Sequence, residues 1–477
     1  VIRAGDAVAT AARPRPAPTP GATAVRDRSP KRLADLVAVL VLGLFSITIV
    51  GIHVAAYQVI SPIDEESHID YTLRAPGWQP AVSGQTWLPE TIHEEDCRGK
   101  DRGGTPKPHC ETLPTDPKAF GLDGYTSGYI APPTYYNVTA VLGRGIQRLF
   151  GFSSPVTGFR LVGALWLWAG LAMTYLLGRR LGAARSAAVA AAVLIGASPA
   201  VFYSDAIVNP DAASVLVGSF VVWAVLRWDT SVSRRGWLLL VAAGVVSTGV
   251  KLQNGIVDLV PAGYLLLLAA WPVGAWLREG RRGRIAWDDL SRRVRGVTVL
   301  GVSACAVAVA WSVLVRVNAT LPPARNPMAL AFTVAKLPAG ALSENIGLFM
   351  TPLRRAYIPA LYATQWLTVT IDVATWLFLA AVVSAAVFGA RSREHRALAW
   401  PLLLVGVFGA VLMTEANWVV LHQYISGLSQ RYSLTLVPVF AVLVAISVRT
   451  RLQRRGLVAI AGASGLVTVC VLLGALV

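Results

Sequence analysis

Seven consecutive residues, Asp64 to Asp70, carry four carboxylates (Asp64, Glu65, Glu66, Asp70) and the imidazole of His68. They follow a strongly apolar run, in a chain with 43 Lys and Arg against 26 Asp and Glu. Negative charge beside a membrane is costly unless something uses it. On a helix, Asp64 and His68 are spaced i,i+4 and Glu65 and His68 i,i+3, so each pair shares a face. Three readings fit that spacing. A carboxylate can take the proton of a hydroxyl nucleophile as general base. The same carboxylates and imidazole can hold a divalent metal. Alternatively, Asp64 is a helix N-cap and the acids favour the first helical turn.

A charged substrate also needs the opposite sign. Lys251, Arg325, Arg354, Arg355 and Arg431 lie near the ends of apolar stretches or between them. An arginine fork matches a phosphate geometrically. Asp205, Asn209, Asp211, Gln253, Asn254, Glu415, His422, Gln430 and Tyr432 fall at span ends on the same predicted side. Their accumulation there predicts a polar cavity at one membrane face.

The elements that must position these groups are membrane spans. The chain is 55% hydrophobic and 14% charged, where a soluble protein carries about a quarter charged residues. Apolar runs recur that are long enough to cross about 30 Å of hydrocarbon as helices. The reading is an all-α polytopic membrane protein with about eleven spans. They are placed at 33–57, 156–178, 186–204, 210–227, 237–251, 255–277, 296–317, 366–390, 398–415, 431–448 and 456–476. The first run is too long for the apolar core of a signal peptide. The net charge of +17 sits largely in short arginine-rich loops between spans, a positive-inside pattern that argues against nucleic acid as a partner.

Residues 1–32, rich in Ala, Pro and Arg, read as a disordered cytoplasmic tail. Residues 33–477 then form one transmembrane domain. It includes a large extracytoplasmic loop at 58–154, with the acidic motif near its start and an interfacial helix near its end. A second extracytoplasmic loop is expected at 318–365, with short interfacial or re-entrant helices. Cys97 and Cys110 share the first loop, and on an oxidising side they are expected to form a disulfide. Zinc held with His93 and His109 is the rival, although the spacing fits no standard zinc pattern. Arg preferred to Lys, with abundant Ala and Val, suggests a GC-rich genome such as that of an actinobacterium.

An acidic pair at the outer end of the first span, opening a large external loop, resembles the motif of the GT-C glycosyltransferases. More narrowly, Pro62-Ile63-Asp64-Glu65-Glu66-Ser67-His68, Pro132-Pro133-Thr134-Tyr135-Tyr136, Asn209-Pro210-Asp211 and Gln430-Arg431-Tyr432 resemble a largely uncharacterised bacterial multispan family near that fold. The chain departs from that family's pattern at an early proline and, with Gln430, at a late glycine. The resemblance implies an inverting transfer of a sugar from a polyprenyl-phosphate donor to an envelope glycan or glycolipid acceptor, with arabinofuranosyl and mannosyl as candidate sugars. Asp64 or Glu65 would activate the acceptor hydroxyl. Arg431, with Arg354, Arg355 or Lys251, would bind the donor phosphate. His68, Tyr135, Tyr136, Asn209, Asp211, Gln430 and Tyr432 would contact substrate. The metal question stays open in this reading. The implied setting is a bacterial plasma membrane, with membrane lipids as partners, the N-terminus cytoplasmic and the site extracytoplasmic. A transporter or flippase of a lipid-linked or anionic substrate is the alternative. It would place functional polar residues near the bilayer midplane. An envelope-glycan polymerase or ligase and a scaffold are further readings.

Overall fold

The computed structural model describes residues 29–77, 79–101, 117–278, 287–322, 325–327, 330, 333–354, 358–388, 393–421, 424 and 430–476. The predicted 1–32 tail lies almost wholly outside them. Among the described residues every regular element is helical, and isolated bridges join Ile60 with Lys100 and Thr86 with Tyr125.

Among the described residues eight helical stretches are long and apolar enough to cross a membrane: Arg32–Ala56, Pro155–Arg180, Pro210–Thr230, Leu252–Arg278, Trp287–Val317, Gln365–Val387, Arg393–Glu415 and Arg451–Gly474. The expected third span is broken instead. Helix α6 (Arg185–Gly196) and helix α7 (Pro199–Ala206) meet at a 64° bend. Pro199 stands at the start of α7 and cannot donate a backbone hydrogen bond into the preceding turn, so the helix restarts there. The expected fifth span is a helix at Arg234–Val250, and the tenth is a short apolar helical stretch at Arg431–Ser447. Between Val437 and Ile446 every residue of the latter is buried. A helix that is apolar all round belongs inside protein. The first helix, α1 (Ser29–Ala56), is its opposite. Leu42, Ser46, Ile49, Val50 and His53 form its buried stripe, while Leu36, Leu40, Leu44 and Ile47 are exposed.

Ion pairs gather at both ends of the bundle. At one end Asp35 of α1 accepts from Arg185 of α6 at 2.7 Å and from Tyr175 of α5 (Pro155–Arg180) at 2.5 Å. Asp229, at the end of α8 (Ser214–Thr230), pairs there with Arg293 at 3.1 Å. The other end carries the short helices of the first loop, α2 (Glu65–Arg74), α3 (Pro89–Arg98) and α4 (Thr134–Phe150). Helix α4 buries Tyr135, Tyr136, Thr139 and Ala140 and exposes Val141, Leu142, Leu149 and Phe150, an amphipathic division suited to an interface. The second loop contains the helix Ala341–Met350.

Close backbone approach fixes α5 against α7. A methyl added at Gly163 would collide with the carbonyl of Asp205. Gly163→Ala is therefore expected to cost about 1–3 kcal/mol, the scale of overpacking. It should lower the thermal midpoint of the detergent-solubilised protein. Gly145→Ala on α4, with nothing within 4 Å of the new methyl, should not.

Candidate active site

The four clustered carboxylates turn in four directions, each toward its own cation. Asp64 precedes α2 with left-handed backbone (φ 54°, ψ 17°) and makes no side-chain capping bond. The N-cap reading of Asp64 therefore fails, although the residue does occupy the cap position. Aspartate tolerates this conformation better than most residues. Its carboxylate accepts from Arg431 Nη2 at 2.9 Å, and its side chain is 37% exposed.

Glu65 is fully buried. It receives Arg160 Nε and Nη2 at 2.8 and 2.7 Å, together with the backbone amides of Ser61 (2.7 Å) and Val208 (3.0 Å). Arg160, 1% exposed, also donates to the carbonyls of Tyr57 and Val59, each at 2.7 Å. Such a bidentate pair is the geometry in which a charged couple tolerates burial. Glu66 pairs with Lys100 at 2.5 Å. Asp70 accepts from Arg74 (2.9 Å), the Leu88 amide (2.7 Å) and the Thr91 hydroxyl (3.1 Å), tying the start of α3 to α2.

Beside Asp64 lies a second acid, brought from the turn between α7 and α8. The Asn209 side chain accepts from the Asp211 amide at 2.9 Å, and the Asn209 amide donates to the Tyr135 hydroxyl at 3.1 Å. Asp211, buried, is ion-paired with Lys251 and lies 3.7 Å from Arg431 Nε. Lys251 follows α9 (Arg234–Val250), its ammonium 4.7 Å from the Tyr432 ring centroid. The Arg431 guanidinium lies 5.6 Å from the same ring. Two acids and two cations from four parts of the chain thus share one cluster. Chains of this kind are strongly coupled in low dielectric.

His68 forms the wall next to it. Its Nδ1 lies 2.8 Å from the Tyr136 hydroxyl, and Tyr136 stacks on Tyr71 with ring centroids 3.9 Å apart. Burial pushes the His68 imidazole down to about 4, against the pull of Asp64, so the ring is neutral at neutral pH. Burial alone would raise the Asp64 carboxyl. Arg431, helped by Lys100, outweighs that and holds it below the usual carboxylate range.

Several expected contacts stand elsewhere. Tyr135 and Tyr136 are 1% and 0% exposed and build the wall rather than offering a face to substrate. Arg354 pairs with Asp372 at 3.2 Å and does not join the cluster. Arg355 lies outside the described residues, and the side chain of Gln430 is likewise not described. Among the described residues no three His, Cys, Asp or Glu side chains converge as a metal site. The donors proposed for a metal instead face Arg431, Arg160, Lys100 and Tyr136. Cys110 and His109 are outside the described residues, so the Cys97 pairing and its zinc rival are left there.

Sequence reasoning missed Arg160. The available signal was a charged residue one turn inside an otherwise apolar span, and such residues mark structural or functional partners. It also missed the polar contacts beneath the loop, where Tyr203 donates to Ser61 at 2.7 Å and Tyr57 to Asp101 at 3.0 Å.

Residues 137–279 match the sequence profile of the family described as dolichyl-phosphate-mannose-protein mannosyltransferase. That match spans less than a third of the chain. The matched segment contains Arg160, Asn209, Asp211 and Lys251, while Asp64 and Arg431 come to it from either side in sequence. Among solved structures the chain is similar to ArnT from Cupriavidus metallidurans bound to undecaprenyl phosphate. The two are 14% identical with a TM-score of 0.48, over 94% of this chain and 76% of that one. No curated protein sequence matches.

Glu65→Gln would leave the Arg160 charge buried without its counter-ion. A cost of about 3–5 kcal/mol is expected, read as a lowered thermal midpoint. An unchanged midpoint would show that the pair does not hold this region together.

Proposed function

We propose that the chain is a membrane glycosyltransferase that moves a sugar from a polyprenyl-phosphate donor to a hydroxyl of an envelope glycan or glycolipid. The work takes place on the extracytoplasmic face of a bacterial plasma membrane. The observation that carries this reading is the Asp64–Arg431–Asp211–Lys251 cluster at one end of a membrane bundle. It puts a partly exposed carboxylate beside two cations suited to phosphate. The likeness of residues 137–279 to a family described as using a mannose carried on dolichyl phosphate supports a sugar carried on a lipid phosphate.

Asp64 is the general base. It takes the proton of the acceptor hydroxyl, whose oxygen attacks the anomeric carbon from the face opposite the leaving group, so the configuration inverts. Arg431 and Lys251 hold the phosphate as the bond between sugar and phosphate breaks, an electrostatic contribution of the kind that often dominates catalysis. Glu65, enclosed by four donors, positions the Asp64 turn and does not share the base role. His68, neutral and anchored on Tyr136, shapes the pocket beside Asp64. Candidate sugars are arabinofuranose and mannose. The transporter alternative gains no support from this clustering at one bundle end.

Purified protein in nanodiscs, offered a panel of radiolabelled polyprenyl-phosphate sugars with envelope acceptors, should transfer at least one sugar. Absence of transfer across the panel would count against the reading. Asp64→Asn keeps the size of the side chain and a residue tolerant of left-handed backbone. It should fold normally and lose about 10²–10⁴-fold in kcat, the worth of a general base.

The pH profile follows from the sign of the Asp64 shift. A base must be unprotonated, and a lowered pKa keeps it so into acid. Transfer should therefore stay level from about pH 7 to 5 and fall only below the ordinary carboxylate range of roughly 4. An acid limb centred above pH 6 would point to a different base.

A further inference from the structure

The two acids that hold Arg431 are unlike each other. Asp211 is fully buried, also holds Lys251, and has its backbone fixed by the Asn209 side chain. Asp64 is 37% exposed, lies on a left-handed residue, and meets Arg431 from the open side. Asp211 faces Arg431 at 3.7 Å, charge against charge and enclosed by protein, whereas the hydrogen bond of 2.9 Å is to Asp64, the partner a ligand can reach. A guanidinium has five donors in a planar fork, so Arg431 can keep Asp211 and still trade its second partner.

Resting on the glycosyltransferase reading, we infer that Arg431 is a shared cation, handed from Asp64 to the donor phosphate during transfer, and thereby couples the base to the leaving group. The charges balance. At the start Asp64 carries one negative charge and the phosphodiester of the donor carries one. The acceptor O–H bond breaks and its proton goes to Asp64, which becomes neutral. The acceptor oxygen forms a bond to the anomeric carbon. The bond from that carbon to the phosphate oxygen breaks, and its electron pair stays on that oxygen, leaving a phosphate with two negative charges. The negative charge summed over Asp64 and the phosphate stays at two throughout, with Asp211 unchanged, and one unit has moved from the carboxylate to the phosphate. As Asp64 is neutralised it gives up its claim on the guanidinium at the moment the leaving group needs it. When the proton departs, Asp64 recaptures Arg431 and weakens the hold on the spent lipid phosphate.

The test is binding of polyprenyl phosphate to the full-length protein in nanodiscs. Asp64→Asn should bind it at least about tenfold more tightly than the parent, the scale of one nearby charge partner. That gain should persist in an Lys251→Gln background, where Arg431 is untouched. It should shrink to within about twofold in an Arg431→Lys background, because an ammonium is a point charge without the fork. Equal or weaker binding by Asp64→Asn, with normal binding by the parent, overturns the exchange and leaves the enzyme reading standing. A gain of the same size in both backgrounds also overturns it, since removal of a negative charge would then act without Arg431. No binding by any variant overturns the glycosyltransferase reading and this inference with it. Should Arg431→Lys not fold, loss of the gain in Lys251→Gln still refutes the assignment.

Discussion

The region depends on one buried ion pair. Arg160 and Glu65 are shut off from solvent, and their hydrogen bonds reach beyond each other. Through Tyr57 and Val59 the arginine fixes the end of the first helix, and through Ser61 and Val208 the glutamate fixes two turns far apart in sequence. One of those turns leads to Asp64 and the other to Asp211. A buried pair of this kind adds little net stability over an apolar substitute, because desolvation offsets the attraction. What it supplies here is registration. The carboxylates that meet Arg431 come from residues 64 and 211, and their spacing is set by a contact neither of them makes.

The cluster those turns deliver has a simple charge count. Asp64 and Asp211 offset Lys251 and Arg431, and His68 beside them is neutral. A neutral total is what a site at the edge of low-dielectric surroundings can sustain without a resident counter-ion. Tyr432 adds a ring against both cations, and cation–π contacts gain in value where water is excluded. The same neutrality allows cations of considerable strength to stand ready for an anionic ligand.

How much of this was legible in the sequence depended on range. Helical spans were legible because apolar runs and arginine loops are local patterns, and the prolines at 132 and 133 announced the amphipathic helix that follows. The break in the third span was harder to see, since apolar residues continue across Gly196 to Pro199 and only the proline marks it. Asp64, Lys251 and Arg431 stood out singly because each is expensive where it sits. Their pairing did not, because 367 residues separate Asp64 from Arg431. Treating Asp64 as part of a helix also obscured it, since the residue lies one step before the helix in left-handed backbone and points away from Glu65. Arg160 was lost among many arginines whose role is topological. Arg354 looked equivalent to Arg431 until its contact with Asp372 separated them.

The outer segment is fastened by a different acid from the one in the cluster. Asp70 gathers Arg74, Leu88 and Thr91, while short bridges at Ile60 with Lys100 and at Thr86 with Tyr125 close the rest. Asp70 belongs to the same ten-residue helix as Glu65 and His68, so the latch of the covering layer and the wall of the charged site share one short backbone. A load placed on that layer from outside is therefore felt at the charged site, because the strut that bears it is the helix that carries His68.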